Sequence, residues 1–460
     1  MTSTAAEALA AHFSKLNYPQ LTAASKVAMK RLLLDYLGVA IAGSQTDSGG
    51  IAREYARADG GKRQASLVGD TVRVPAAQAA FANAISAHSI ELDDIDVFAY
   101  FHYSPPVFSA TLAVAESERA SGKQLLSALA AGCEMMERAS KAANPSLRDR
   151  CFHSTPTCGV FGAAIAAGKL LHLAPKRLVS ALGLAGGQVA GVLEFHGPSM
   201  QKRFSPGPAA RAGVTAARMA QLGFTGQDSI LEGPRGFLKA YTDKSDPTQF
   251  VAGLDRPYQL NIEFKPYSCA RPIHNAIDCA LQIRGRDNPV LADIARIEVA
   301  RHPSWAHKHR EFSPQSFHAA QLSLPYSTAV ALKEGQALLA QYSERKLKDS
   351  VVLRLMKATE ITTDATLARG VSCRMTVTMS DGRAFVSQVD YPKGSIEVPM
   401  TDAEIVAKFT SLASPIVGAR RAAQIVERVG TLEKCGDVGE LMRLTAKSKQ
   451  PSARRSRRRT

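Results

Sequence analysis

No two cysteines in this sequence are spaced C-x-x-C, and the seven present (Cys133, Cys151, Cys158, Cys269, Cys279, Cys373 and Cys435) are odd in number and scattered. That spacing excludes a disulfide framework and predicts reduced thiols in a cytoplasmic protein. Long uncharged apolar runs are also missing. Lys169 interrupts the stretch from Gly159 to Leu173, and Asp35 interrupts Leu32 to Ala42, so neither predicts a membrane span. The N-terminal MTSTAAEALAAHFSKLNYP lacks a basic segment followed by an apolar one and reads as a short amphipathic helix instead of a signal peptide. Neither a G-x-x-x-x-G-K-[ST] motif nor a strand-linked G-x-G-x-x-G occurs, which leaves nucleotide chemistry without a visible site and predicts no cofactor.

Charge of one sign is in excess, at +16, but its distribution matters more than its size. Eight cations (Arg443, Lys447, Lys449, Arg454, Arg455, Arg457, Arg458 and Arg459) follow the last acid, Glu440, so half of the surplus belongs to the terminus. Residues 447–460 are predicted to be a disordered basic tail, a solvated end and not a reader of nucleic acid.

At 460 residues, two domains are expected, one of them discontinuous. Helical periodicity runs through Lys26 to Ala42, Ala76 to Ser89 and Lys123 to Ala139, predicting a helical domain over 1–257. From Tyr258 the texture changes. YQLNIEF, ARIEVA, SCRMTVTM and AFVSQVDY alternate like strands, with Asp381-Gly382 as a hairpin turn between the last two. With helices near Pro272 to Arg284 and Tyr326 to Glu334, residues 258–399 are predicted to form a smaller α+β domain. The segment 400–446 opens on a Thr401-x-x-Glu404 capping box and is predicted to return to the helical domain. The fold class expected is mainly α with a smaller α+β domain.

A weak repeat predicts a site. Ser104-Pro105, Thr155-Pro156 and Ser205-Pro206 each read as a hydroxyl cap followed by proline at the first helical position, at spacings of 51 and 50 residues. KQLLSALAAG and KRLVSALGLAG follow two of them. Stacked helical hairpins would bring such starts to one end of the domain. A basic residue precedes each: His102, His153 and Lys202. Free N–H groups and the positive end of a helix already favour an anion, and an added cation strengthens that preference, so a carboxylate is the expected ligand. Around His102, HSIELDDIDVFAYFH gathers His88, Glu91, Asp93, Asp94 and Asp96. It lacks the glycine turn and terminal glutamate of a calcium loop, so these acids are expected to orient His102 or Lys202, or to be solvated, with no metal bound. In the smaller domain, Arg271-Pro272-Ile273-His274 again puts cations at a helix start, and Tyr326 follows Pro325 at another. The cluster His302, His307 and His309 has cationic neighbours and reads as an exposed turn, not a zinc site.

The stretches RLLLDYLGVAIAG, NAISAHSIELDD, FHSTPTCGVFGAAIAAGKLL, the Lys202 segment with PAARAGVTAARMAQLGFTG, FKPYSCARPIHNAID, LSLPYSTAVAL and DYPKGS resemble the MmgE/PrpD family. That family includes 2-methylcitrate dehydratase, cis-aconitate decarboxylase and iminodisuccinate epimerase. The resemblance implies a large helical domain built from both chain ends, a lid domain, a homodimer, and a site between the domains. It places His102, His153, Lys202 and Tyr326 in positions that line the site, with His274 beside it. Three positions depart from the motifs of the decarboxylase branch: Glu91 stands for an aspartate, Ile95 for a threonine and Ser205 for a histidine. These departures argue against cis-aconitate decarboxylation.

The expected activity is therefore that of a hydro-lyase removing water from a citrate-like polycarboxylate such as 2-methylcitrate. His153 would serve as general base or acid, Lys202 and His102 as carboxylate clamps, and Tyr326 as proton donor to the leaving group. Glu91, Asp94, Ser205, Arg271 and His274 would complete the substrate-binding set. The alternatives are an epimerase or a decarboxylase on a related acid, and, outside enzymes, an inactive helical scaffold or a tail-mediated nucleic-acid binder.

Overall fold

The computed structural model describes residues 3–195, 199–368 and 370–448. The basic tail predicted from residue 447 thus lies, beyond Ser448, outside the described residues.

Helices dominate the first core. Ala23–Gly43 starts where the Thr22 side chain accepts from the Ser25 N–H, and it is buried almost all round from Leu32 onward. The helices Ser104–Ser117 and Ser154–Leu170 are likewise buried along nearly their whole length, so their apolar residues cover every face. Small residues let them approach. A Cβ added at Gly162 would lie 2.5 Å from the Gly132 carbonyl oxygen, which fixes how closely Ser154–Leu170 packs on Gly122–Ala143. The core also takes Met400, Ile405, Phe409, Ile425 and Leu441, so the C-terminal segment returns to it. The helix Asp402–Val417 opens on the predicted Thr401–Glu404 capping box.

A second core spans Tyr267 to Val389. Its mixed sheet has the order Thr359–Thr363, Ile294–Arg301, Cys373–Met379, Ala384–Val389, the first pair parallel and the other two antiparallel. The hairpin turns at Asp381-Gly382, where Gly382 has φ +87°. The helices His274–Asp287 and Leu324–Glu334 pack together beside the sheet. The chain is therefore mainly α with a smaller α+β part.

Two strand assignments differ from expectation. YQLNIEF forms no strand: Leu260, Ile262 and Phe264 pack against the helical core, and only Glu263 pairs, by an isolated bridge to Ile95. Alternating side chains here match a helical surface on one side and no sheet edge. Conversely, Thr359–Thr363 joins the sheet although its short TEITT run carries little alternation.

The two cores meet along the loop from His88 to His102. Its Leu92 carbonyl accepts from Lys408 Nζ at 2.7 Å, and the same ammonium is 2.6 Å from Asp35. From the second core, Ser268 Oγ and Gln321 Nε2 both donate to the Ile90 carbonyl at 2.8 Å. The Ile95–Glu263 pair closes the other end at 3.0 and 2.9 Å. A loop so held on both sides is a rigid mount.

Candidate active site

The three predicted helix starts do meet, though their capping differs from expectation. The Ser104 helix is capped from outside: Asp94 Oδ2 accepts from the Tyr103 N–H at 2.7 Å and Oδ1 from the Ser104 N–H at 3.1 Å. Asp94, expected to bind substrate, thus occupies the anion site that this helix end offers. The second helix begins at Ser154, so His153 itself is the cap residue, and Thr155 Oγ1 accepts from the backbone N–H of His102 at 3.2 Å. Ser205 does precede a helix, Pro206–Gln221, but its hydroxyl makes no cap. It lies 3.0 Å from His153 Nδ1 and donates to the Lys202 carbonyl at 3.0 Å.

Three histidines line up at this junction, His88 having its ring centroid 5.0 Å from His102 and 6.2 Å from His153. Their Nδ1 atoms are all engaged. His88 Nδ1 is 2.7 Å from Asp93 Oδ2, while His102 Nδ1 is 3.2 Å from the same oxygen and also contacts the Asp94 carbonyl. Carboxylate and carbonyl oxygens only accept, so both imidazoles donate from Nδ1 and keep the Nε2 lone pair free. Burial pushes all three imidazole pKa values down, His102 to about 3 and His153 well below its ordinary value, with neighbouring histidines and Lys202 adding to the effect at His153. They are neutral bases near pH 7.

Opposite charge is concentrated on Glu91. Lys202 and Arg203 both reach its Oε1, and Lys265 Nζ is 3.3 Å from Oε2 and 3.7 Å from Asp93 Oδ1. Burial alone would raise the Glu91 pKa, but Lys202, Arg203 and Lys265 more than reverse that and hold it well below the carboxylate range. Its backbone sits at φ +54°, a left-handed conformation uncommon for glutamate, kept by these three contacts. Among these five groups, three cations face two carboxylates, which leaves one positive charge for an incoming anion. Lys202 keeps 19% of its side chain exposed, whereas Arg203 is 3% and Lys265 1% exposed, so Lys202 is the cation able to meet a ligand.

His88, Asp93 and His102 also offer three possible metal-ligand atoms within 4.8 Å of one another. The Asp93 carboxylate is instead shared by two imidazole N–H donors and the Lys265 ammonium, whose charge opposes a further cation. The donor set therefore suits protons better than a metal.

Three expected site residues bond to groups other than His102, His153 or Lys202, although His274 lies within electrostatic reach of Lys265. The Tyr326 hydroxyl donates to the Gln341 carbonyl at 2.6 Å, deep in the second core beside Tyr342. Arg271 donates to Glu263 at 2.9 Å and to the Lys393 carbonyl at 2.9 Å. His274 accepts from Arg271 through Nδ1 at 3.1 Å and donates from Nε2 to the Cys269 carbonyl at 3.3 Å, which uses both ring nitrogens. Buried polar groups must be satisfied, and here the nearest partners are within the second core and its margin. Among the described residues, no hydrogen bond or ion pair joins any of the three to His102, His153 or Lys202. The thiol of Cys158, in the first turn after His153, is pushed up to about 12 by burial and is not a nucleophile.

Sequence reasoning passed over Arg203 and Lys265. Arg203 adjoins Lys202 and contacts Gln321 at 3.2 Å; Lys265 lies between Phe264 and Pro266. A lone cation among apolar residues is the one signal that marks Lys265, and it is a weak one.

Among the described residues, no helix is long and apolar enough to cross a membrane. The MmgE/PrpD N-terminal domain matches residues 7–249, and the MmgE/PrpD C-terminal domain matches residues 267–433. A cis-aconitate decarboxylase-like protein of Aspergillus oryzae is 30% identical over 446 residues, covering 90% of this chain and 92% of its own. The cis-aconitate decarboxylase of Aspergillus terreus is 29% identical over 80% of each chain, and the human one 27% identical over 90% of this chain and 89% of its own. The two matches divide where one core gives way to the other, and together they show that this chain belongs to the MmgE/PrpD family.

Proposed function

We propose that this protein is a cofactor-independent lyase acting on a small polycarboxylate, as a cytoplasmic homodimer, and that the reaction is decarboxylation of a cis-aconitate-like acid. One observation carries the reading: histidines with free Nε2 atoms adjoin a buried cluster in which three cations outnumber two carboxylates. The surplus charge would hold substrate carboxylates, with Lys202 as the exposed contact. In the reaction, the bond to one carboxylate breaks and its electron pair enters the carbon skeleton as an enolate-like anion. Carbon dioxide leaves, and one proton is taken up at carbon. Positive charge near that anion lowers the barrier. Lys202, whose pKa burial lowers, would supply the proton, and His102 and His153 would steer it as neutral imidazoles.

Decarboxylation replaces the dehydration favoured by sequence for two reasons. Two of the named relatives are cis-aconitate decarboxylases and the third is a cis-aconitate decarboxylase-like protein. Loss of a hydroxyl also needs an acid at the leaving oxygen, and Tyr326, the expected donor, is bonded to Gln341 instead. Dehydration of a citrate-like acid is the second reading, since Glu91, Ile95 and Ser205 alter the surroundings of the substrate. Incubation with cis-aconitate, citrate and 2-methylcitrate in deuterated buffer separates these outcomes by NMR. Carbon dioxide release from cis-aconitate is expected; an alkene formed from a hydroxy acid would replace it with a hydro-lyase. Deuterium entering recovered substrate alone would indicate an epimerase, and no change in any acid would sink the lyase reading.

A further inference from the structure

Ser205 stands one turn after Lys202, and its single hydroxyl proton has two neighbours at the same distance. The Lys202 carbonyl oxygen is 3.0 Å from Oγ, and His153 Nδ1 is also 3.0 Å from it. A carbonyl can only accept, whereas an imidazole nitrogen either donates or accepts according to its tautomer. Both contacts are made together in just one arrangement: Ser205 donates to the Lys202 carbonyl, and His153 donates from Nδ1 to Ser205. The opposite tautomer would leave the serine proton contested between two acceptors. His153 is otherwise held by backbone and packing, its N–H donating to the Gly191 carbonyl at 3.1 Å and its ring edge-on to Phe195 at 4.9 Å.

We propose that Ser205 is a positioning residue that holds His153 as the Nδ1-protonated tautomer and so leaves Nε2 as the basic nitrogen. The same hydroxyl ties the base to the backbone of Lys202, the cation that faces substrate, so the spacing between the two groups is set by one side chain. His88 and His102 are held in the same tautomer by Asp93 and the Asp94 carbonyl, and Ser205 brings His153 into line with them. The consequence for turnover rests on the lyase reading; the tautomer itself does not.

The test is therefore spectroscopic first. In long-range proton–nitrogen spectra of protein labelled with nitrogen-15 at histidine, the His153 signals are those lost in His153→Gln. Expected in the unaltered protein is a protonated Nδ1 and a bare Nε2; a proton found on Nε2 overturns the assignment. Ser205→Ala should move His153 toward the other tautomer, and Ser205→Thr, which keeps the hydroxyl, should restore the first. A pure Nδ1-protonated ring in Ser205→Ala would overturn the role of the serine. In the enzymatic arm, Ser205→Ala should lower kcat by about 100-fold with little change in KM, the lower end of what a correctly placed proton-transfer group contributes, with recovery in Ser205→Thr. Equal kcat in the unaltered protein and Ser205→Ala counts against the positioning role. If no acid is turned over, the lyase reading fails and the spectra alone decide the tautomer.

Discussion

The Lys265 ammonium stands 3.3 Å from Oε2 of Glu91, joining the loop of the first core to the point where the chain passes into the second. Phe264 belongs to one core and Tyr267 to the other, so this ion pair bridges the boundary at which substrate is proposed to bind. Lys265→Met should weaken polycarboxylate binding by about tenfold, which is about 1.4 kcal/mol. Calorimetric titration with citrate checks this, and an unchanged Kd would remove Lys265 from the binding charge.

Glu91 is the shared partner of three cations, two of them almost fully buried. Glu91→Gln raises the surplus of the five groups from one positive charge to two and should destabilise the fold by about 3 kcal/mol, the lower range for breaking a buried pair. Denaturant midpoints measure the loss. A polycarboxylate should return more stability to this variant than to the unaltered protein, because it supplies the missing negative charge.

His102 has its pKa lowered by burial from 6.5 to about 3. The unfolded chain therefore binds this proton more readily than the folded one, so the contribution of His102 to stability is full above pH 6.5 and is lost as pH falls toward 3. Over the interval from pH 6.5 to pH 5 the loss is about 2 kcal/mol. Comparing denaturant unfolding of the unaltered protein and His102→Gln at both pH values isolates it. The gap between them should move against the histidine as pH falls, and a constant gap would mean that the imidazole titrates normally in the fold.

Tyr326→Phe separates the structural placement from the sequence expectation. Its hydroxyl serves the Gln341 carbonyl, so removal should cost about 1 kcal/mol of stability. Turnover should change by less than about threefold, well short of the effect of losing an essential proton donor. A large fall in kcat with intact stability would return Tyr326 to the chemistry.

Gly191 has φ +123°, and a Cβ there would lie 2.5 Å from Pro156 Cγ and 3.8 Å from His153 Cβ. Gly191→Ala should push the loop away from the start of the His153 helix and lower kcat more than it lowers the melting temperature. Steady-state rates beside thermal melts test that difference; parallel losses would indicate general unfolding instead.

Much was legible in the residues alone. Helical periodicity, the Thr401–Glu404 box and the Asp381-Gly382 turn act over a few neighbours, so the two kinds of domain and many element ends follow from local chemistry. Even the meeting of three helix starts was foreseeable, because a repeat of 50 to 51 residues places equivalent starts together. Tertiary structure decided which partners those starts found. Asp94 caps a helix for which Ser104 looked sufficient, Ser205 turns to His153, and Arg271, His274 and Tyr326 satisfy one another or nearby carbonyls instead of reaching the histidines. Lys265, unremarkable in the chain, becomes the bridge between cores. Most buried polar groups take whichever complementary atom the packing brings within about 3 Å, and packing is a property of the whole chain that no short spacing encodes.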